Sequence, residues 1–256
     1  MKDIYQFAEE LINKSEKLIL KNYYKPRKIS YKKGDFNLVT EIDKAVEKLI
    51  VSEIYKKFPN HTIIAEESGH HKKNPEYEWF IDPIDGTTNF AHRYPFFCIS
   101  IGFAVKGKLQ LGLIKNPITN EFYSAIRDKG AKLNGKQIRV SNIKKLNESL
   151  LVTGFPYDRK NNKMRNFNNF SKLTCLSQGV RRDGAAALDL CYVASGKLDG
   201  FWEFKLSPWD VAAGVLILEE AGGKVTNFNG GKYNIYNKEI IATNGHIHNE
   251  LLKHLK

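Results

Sequence analysis

The segment from Trp79 to Phe90 constrains this chain most, because an apolar strand runs there directly into two acids three residues apart. Trp79–Ile81 is expected to be a strand that delivers Asp82 at its end. The next residue is a proline, which fixes φ and predicts a turn that brings Asp82 and Asp85 together, with the carbonyl of Ile84 as a third oxygen. Hard divalent cations prefer such oxygen ligands. The segment therefore predicts a metal site at the end of a strand.

The residues after the two acids predict an anion site beside the metals. Gly86 lets the backbone approach a ligand closely, and Thr87 and Thr88 are expected to open a helix whose free N–H groups face the same pocket. Two acids at this spacing, without further motif residues, more often belong to a turn or a helix cap. Twelve residues in this order instead favour metal-assisted phosphoryl transfer, in which cations neutralise phosphate oxygens while water attacks in line.

Two further motifs accompany this segment. Glu66–Ser68 follows a predicted strand, Thr62–Ala65, and Trp209–Gly214 is followed by Glu220–Gly223. With these three motifs in this order, the sequence resembles the inositol monophosphatase family of magnesium-dependent, lithium-sensitive phosphatases over almost its whole length. The resemblance implies an α/β fold, a layered αβαβα sandwich of the sugar-phosphatase type, and a homodimer.

The resemblance also assigns roles at the metal site, which would hold two to three Mg²⁺ ions. Glu66, Asp82 and the Ile84 carbonyl would bind the first metal, and Asp82, Asp85 and Asp210 the second. Glu66 would also help to hold a weakly bound third ion. Thr87, with Glu66, would orient and deprotonate the attacking water, so that phosphorus is inverted without a phosphoenzyme.

The substrate is expected to contact both halves of the chain. Gly184, Ala185 and Ala186 open a predicted helix, and Glu203 precedes Asp210 by seven residues, as in the family. Glu203 is the predicted specificity residue, because a carboxylate can accept hydrogen bonds from two sugar hydroxyls; the alternative is a glutamate on a surface strand. The remaining substrate-binding residues that the resemblance implies are Asp85, Gly86, Thr87 and Asp210.

Two other residues have competing interpretations. Asp43 aligns with a family acid near the metals, yet Thr40-x-x-Asp43 is also a capping-box pattern, and the two roles are compatible. Lys32 aligns with the family's phosphate-proximal lysine on a mobile loop that includes Lys33, although solvated surface is the simpler account of a lysine in so basic a chain. His70-His71 and His246-x-His248 are expected at the surface. Cys191 is expected in the core.

Composition limits the class of protein. Lys and Arg number 40 and Asp and Glu 28 among 256 residues, a formal charge of +12, and 42% of residues are hydrophobic. Disordered and collagen-like chains are excluded. No run approaches the roughly 20 apolar residues of a membrane span, and the first 20 residues do not resemble a secretory signal, so a cytoplasmic protein is expected. Three widely spaced cysteines predict buried thiols rather than disulfides.

The order of predicted elements divides the chain into two halves. Residues 1–145 are expected to be helices on an antiparallel sheet that carries most metal ligands, and residues 146–256 an α/β half with the substrate-alcohol site and the last metal ligand. The predicted helices cover residues 4–19, 42–54, 185–194 and 211–221, with a short helix at the end of the chain. The predicted strands cover residues 62–65, 79–81, 96–105, 109–127, 149–155, 200–205 and 239–243.

These observations predict a metal-dependent phosphomonoesterase that converts myo-inositol 1-phosphate and water to myo-inositol and phosphate. A fructose-1,6-bisphosphatase, or a dual-specificity sugar phosphatase, is the alternative among enzymes. The positive charge leaves open a third hypothesis, a binding partner of RNA or the transcription machinery. No RNA-binding motif is visible, so nucleic acid is not an expected partner.

Overall fold

The computed structural model describes residues 1–25, 28–32, 37–157 and 165–255. Residues 33–36 of the predicted mobile loop, Lys33 among them, lie outside the described residues, as does Lys256. The described helices are α1 (Lys2–Asn22), α2 (Glu41–Lys57), α3 (Thr87–Ala91), α4 (Arg165–Leu176), α5 (Ala186–Ala194), α6 (Pro208–Glu220) and α7 (His248–His254). No helix among them is both long enough and apolar enough to cross a lipid bilayer.

The strands form two large sheets and a small two-stranded ribbon. The ribbon pairs β1 (Ile29–Tyr31) with β2 (Leu38–Thr40). The first sheet, in the order β10-β9-β8-β7-β6-β5-β3-β4, contains β3 (His61–Ala65), β4 (Gly69–His71), β5 (Asn74–Asp85), β6 (Cys98–Val105), β7 (Lys108–Asn116), β8 (Glu121–Ile126), β9 (Ala131–Leu133) and β10 (Lys136–Gln137). The second, in the order β12-β11-β13-β15-β14, contains β11 (Leu150–Thr153), β12 (Gly179–Arg181), β13 (Gly200–Phe204), β14 (Lys224–Thr226) and β15 (Glu239–Thr243).

Helices α1 and α2 cover one face of the eight-stranded sheet. Because side chains alternate along a strand, Trp79 and Ile81 of β5 face these helices, whereas Phe80 faces the opposite layer. The apolar stripe of α1, which includes Leu11 and Ile12, is buried against this face. Burial of such a stripe is the main source of stability for a surface helix.

Helices α5 and α6 form the middle layer, with a sheet on each side. Both are apolar nearly all round, as expected of helices buried between two sheets. Helix α6 packs closely against the first sheet at Gly112 of β7, where a Cβ would lie 2.6 Å from the carbonyl oxygen of Ala213. Helices α4 and α7 cover the outer face of the second sheet, through residues such as Leu173 and Leu251. The layers therefore alternate α, β, α, β, α, and the predicted sandwich is confirmed.

Several local expectations need correction. The strand expected at Trp79–Ile81 continues to Asp85, because Pro83 interrupts the hydrogen bonds to β6 with an irregularity in register rather than ending the strand. The elements that were not predicted are α4 and the strands β1, β2, β4, β9, β10, β12 and β14. Cys175 is exposed, not buried, since it lies in α4 at the outer surface. His248 is buried rather than on the surface, because its ring bonds to two threonines of the second sheet.

Candidate active site

A cavity of about 710 Å³ opens where the ends of β3, β5, β11 and β13 meet the N-termini of α3, α5 and α6. Both halves of the chain line it. The predicted site residues among its walls are Glu66, Asp82, Ile84, Asp85, Gly86, Thr87, Gly184, Ala185, Ala186, Glu203 and Asp210. The structure therefore gathers into one cavity residues that are up to 144 positions apart in the sequence, as the difference between positions 66 and 210 shows.

The irregularity in β5 aims both of its acids at this cavity. Asp82 pairs in register with Ser100 and Asp85 with Cys98, and the two residues between them make no ladder pair. Oδ1 of Asp82 accepts a hydrogen bond of 3.0 Å from the Ile84 N–H. All three of Asp82, Ile84 and Asp85 line the cavity, and the Ile84 carbonyl lies 3.1 Å from the Thr87 hydroxyl. The predicted turn is thus replaced by a bulged strand that carries Asp82, Ile84 and Asp85 to the cavity wall.

Gly86 and α3 follow directly. Gly86 has φ of 91°, a left-handed conformation that favours glycine, and a Cβ there would lie 3.1 Å from the Phe96 carbonyl oxygen. Helix α3 begins at Thr87, as predicted. The Thr87 hydroxyl can donate to Oδ1 of Asp43 at 2.9 Å or to the Ile84 carbonyl at 3.1 Å.

Asp43 completes the helix cap predicted for it and also contacts a residue of the cavity wall. Its Oδ2 accepts from the Thr40 N–H at 2.9 Å and the Thr40 hydroxyl at 2.5 Å, which completes the capping box of α2. Its Oδ1 faces Thr87. Burial raises the pKa of Asp43, and the hydrogen bonds from Thr40 and Thr87 oppose that rise. The cap therefore holds one carboxylate oxygen and leaves the other to orient a hydroxyl of the cavity wall.

Glu66 lies just beyond β3 and is held by its neighbours. Its N–H bonds to the Ile81 carbonyl at 3.2 Å. The buried Glu47 carboxylate of α2 accepts 2.7 Å bonds from the N–H groups of Glu67 and Ser68, which fixes the turn that follows Glu66. Lys32 is not free surface: its Nζ lies 2.8 Å from Oε1 of Glu66 and 2.5 Å from Oε1 of Glu67.

Asp210 reaches the cavity from the first turn of α6. Its Oδ2 accepts from the Ser207 N–H at 2.7 Å, in a capping box with Ser207. Asp85 makes a similar link, because its Oδ2 accepts from the Ala187 N–H of α5 at 2.7 Å. The N-termini of two helices from the second half are thus bonded to acids of the cavity, and each acid keeps an oxygen for other contacts.

The electrostatics of these acids fit divalent cations. Burial raises the pKa of Asp82 and of Asp210 well above the ordinary value, and Glu66 and Asp85 add to both rises. Burial also raises the pKa of Asp85 to about 7, against the opposing hydrogen bond from Ala187. So much negative charge in one place is costly unless cations balance it, and an all-oxygen set suits a hard cation such as Mg²⁺. Among the described residues, no three His, Cys, Asp or Glu side chains are already arranged closely enough to hold a metal ion.

The wall of the cavity also carries Glu203 and Arg182. Glu203 lies on β13 and is 8% exposed, so it is not a surface glutamate. Burial raises the pKa of Glu203 to about 8, while Arg182 opposes and Asp85 adds to that rise. None of the residues that the structure describes donates a hydrogen bond to its carboxylate. This acid faces the cavity with its oxygens available.

Some residues of the cavity were not predicted. Gly154, Phe155, Pro156 and Tyr157 follow β11 and form part of its wall. The signal that could have identified them is positional, because strand ends gather at one edge of a sheet. The other histidines and Cys191 do not reach the cavity: His70 and His246 are exposed, and Cys191 is buried in α5, as predicted.

Comparison with known proteins agrees with this geometry. The model of the inositol monophosphatase family matches residues 1–256. An inositol-1-monophosphatase of Synechocystis sp. is 44% identical over 248 residues, which cover 96% of this chain and 86% of that protein. The Nus factor SuhB of Escherichia coli K12 is 40% identical over 258 residues, which cover 100% of this chain and 97% of that protein.

Solved structures give the same result. An inositol monophosphatase from Anabaena (Nostoc) sp. superposes with a TM-score of 0.90 at 43% identity, over 99% of this chain and 95% of that one. The Thermotoga maritima IMPase superposes with a TM-score of 0.91 at 37% identity, over 98% and 96% of the two chains. Sequence, fold and the match along the whole chain lead to one conclusion: this chain belongs to the inositol monophosphatase family of phosphatases.

Proposed function

We propose that this chain hydrolyses myo-inositol 1-phosphate to myo-inositol and phosphate in a reaction that requires Mg²⁺. The observation that carries the proposal is the set of carboxylates that one cavity gathers from both halves of the chain. Four carboxylates, from Glu66, Asp82, Asp85 and Asp210, line this cavity together with the buried carboxylate of Glu203, to which no described residue donates a hydrogen bond. The four acids, which we call the metal end of the cavity, suit a phosphate group accompanied by cations, and Glu203, which we call the polyol end, suits hydroxyl groups.

Each acid has a proposed role at the metal end. Glu66, Asp82 and the Ile84 carbonyl would hold one Mg²⁺, and Asp82, Asp85 and Asp210 a second, with Glu66 near a third. Bound Mg²⁺ would supply charge neutralisation for the phosphate oxygens and would lower the pKa of water. The residues themselves must fix the angle of attack and remove a proton.

We assign the removal of that proton to Thr87 and Asp43. When the Thr87 hydroxyl donates to Asp43 at 2.9 Å, its oxygen lone pairs can accept a hydrogen from water. The water would pass a proton to the Thr87 oxygen while the Thr87 hydroxyl passes its own proton to Asp43, and Glu66 would help to orient the water. The water oxygen would form the new bond to phosphorus, and the bond to the inositol oxygen would break. That leaving oxygen then takes up a proton from solvent. Such a displacement inverts the configuration at phosphorus.

The polyol is proposed to bind between Glu203 and the N-terminus of α5. Gly184, Ala185 and Ala186 line the cavity there. A carboxylate that is 8% exposed loses much of its hydration, so hydroxyl donors that replace the lost water are favoured and ligands without them are disfavoured. This preference separates a polyol phosphate from simpler phosphate esters.

A substrate panel tests the proposal. Phosphate release with Mg²⁺ would be measured from inositol 1-phosphate, fructose 1,6-bisphosphate, histidinol phosphate and 3′-phosphoadenosine 5′-phosphate. We expect the highest kcat/KM on inositol 1-phosphate. A comparable rate on fructose 1,6-bisphosphate would favour the dual-specificity alternative, and absence of turnover on all four would contradict the proposal.

A second candidate function rests on the relatives named Nus factor SuhB and on the charge of +12. It is a role as a binding partner of RNA or the transcription machinery. This candidate predicts RNA retention that weakens steeply with salt and survives Asp85→Asn, whereas phosphatase activity is lost on that substitution. Salt-independent or absent retention would remove it.

Three further properties belong to the same proposal: inhibition by Li⁺, a homodimer and a cytoplasmic location. Inhibition of phosphate release by millimolar LiCl but not by KCl would test the first. Light scattering during size-exclusion chromatography would test the second, with twice the chain mass of 29.3 kDa expected.

A further inference from the structure

The carboxylate of Glu203 occupies space that any side chain at position 154 would need. A Cβ on Gly154 would lie less than 3.0 Å from both carboxylate oxygens of Glu203 and from the carbon between them. Nonbonded carbon and oxygen atoms do not approach so closely without repulsion. Gly154 is buried and its backbone does not adopt a positive φ. The need for glycine here is therefore spatial and comes from Glu203.

The backbone at position 154 cannot easily move away. Nδ2 of Asn166 donates to the Gly154 carbonyl at 2.5 Å and to the Thr153 hydroxyl at 3.1 Å. The same Asn166 accepts from Nε1 of Trp202 at 2.6 Å, and the Thr153 hydroxyl donates to the Trp202 carbonyl at 2.5 Å. These bonds tie the end of β11 to β13, one residue before Glu203. A methyl group at position 154 would be accommodated by rotation of the Glu203 side chain.

We propose that Gly154 is a specificity-determining residue, which by lacking a side chain allows the Glu203 carboxylate to lie against β11 and face the polyol end of the cavity. This inference rests on the proposed function, because it assigns Gly154 to the recognition of substrate hydroxyls. Gly154 acts through Glu203 and is a positioning residue. A substitution there redirects an acid while the strands, the metal end and Thr87 stay in place.

The test compares two substrates in four variants. The substrates are inositol 1-phosphate and p-nitrophenyl phosphate, which has no ring hydroxyls. The variants are Gly154→Ala, Glu203→Ala, the double variant, and Gly179→Ala as a matched control. Gly179 lies on the neighbouring strand β12, where a Cβ would meet the flexible Arg181 side chain at 3.2 Å, and it is not part of the cavity wall.

We expect Gly154→Ala to lower kcat/KM on inositol 1-phosphate by about tenfold to a hundredfold, mainly through KM, which is the range for lost hydrogen bonds to a charged group. On p-nitrophenyl phosphate the loss should stay under about threefold, since the metal end is untouched. In the Glu203→Ala background, where the space is vacated, Gly154→Ala should cause no further loss. Gly179→Ala should match the wild type on both substrates.

Equal losses on the two substrates, or an additive loss in the double variant, would overturn the inference, as would a Gly154→Ala enzyme that matches the wild type. Thermal unfolding with and without Mg²⁺ separates a redirected Glu203 from a damaged fold, because the former leaves both midpoints unchanged. The wild-type rates alone test the proposed function. If another polyol phosphate is hydrolysed faster, the variants are compared on that ester. A wrong substrate assignment can then be distinguished from a wrong role for Gly154.

Discussion

Buried His248 gives this protein a dependence of stability on pH that can be derived from its surroundings. Its ring is 1% exposed; Nε2 lies 2.9 Å from the Thr226 hydroxyl and Nδ1 lies 2.9 Å from the Thr243 hydroxyl. These threonines belong to β14 and β15, so the ring joins the edge strand to its neighbour. Burial, with an added contribution from Lys224 on β14, lowers the pKa of His248 to about 4.

The sign and size of the effect follow from linkage. An unfolded histidine has a pKa of about 6.5, so between pH 6.5 and pH 4 the unfolded chain takes up a proton that the folded chain does not. Stability from His248 is therefore complete above about pH 6.5 and falls as the pH drops towards 4. With these two pKa values, the loss between pH 8 and pH 5 is about 2 kcal/mol.

Urea unfolding at several pH values measures this loss. We would compare the wild type with His248→Gln and with His246→Gln, a control for an exposed histidine two residues away. Other groups also titrate in this range, so the informative quantity is the difference between variants. The stability difference between wild type and His248→Gln should shrink by about 2 kcal/mol from pH 8 to pH 5, while His246→Gln stays parallel to the wild type. Parallel curves for all three proteins would refute the reasoning.

Two further substitutions have specific expected outcomes. Thr87→Val should lower kcat by about a hundredfold or more with little change in KM, because it keeps the shape of the side chain and removes the hydroxyl that faces Asp43. Steady-state kinetics of Thr87→Ser, which keeps the hydroxyl, provide the control. An equal loss of kcat in Thr87→Ser would contradict a catalytic role of that hydroxyl. Glu220→Gln should lower the free energy of unfolding by about 2 kcal/mol, since this carboxylate accepts from three consecutive N–H groups of residues 128–130. Glu219→Gln, at a neighbouring residue that is paired with Arg127 at the surface, should lower the free energy of unfolding by less than about 1 kcal/mol in the same denaturation assay.

The pattern of nearby residues in the sequence predicted the helices and strands that bury one apolar face or begin at a capping residue. The helical spacing of apolar residues predicted α1 and α2, and the Thr40 cap was visible because a capping box is encoded within four residues. Helix α4 was missed: its sequence carries five Asn, Ser and Thr residues among twelve, which disfavour helix, and packing of residues such as Leu173 against the second sheet decides its structure.

The residues of the cavity also fall into two groups: those that a short sequence motif identifies, and those whose surroundings depend on residues distant in the sequence. The motifs predicted the acids and Thr87, because these residues lie in three short segments. The environment of Gly154 could not be predicted, since its contact with Glu203 joins positions 49 apart through strand pairing. His248 was misassigned for the same reason: polar neighbours in sequence suggested the surface, but its partners lie on two strands.

The most direct test of the central claim is a Mg²⁺ titration of phosphate release from inositol 1-phosphate after removal of divalent ions with a chelator. Wild type would be compared with Asp210→Asn, which alters the metal end, and with Asp128→Asn, the same chemical change in an exposed turn whose φ of 63° suits asparagine. The account predicts no turnover without Mg²⁺, saturable activation in wild type and Asp128→Asn, and a loss of at least about a thousandfold in Asp210→Asn. Turnover without divalent ions, or full activity in Asp210→Asn, would contradict it.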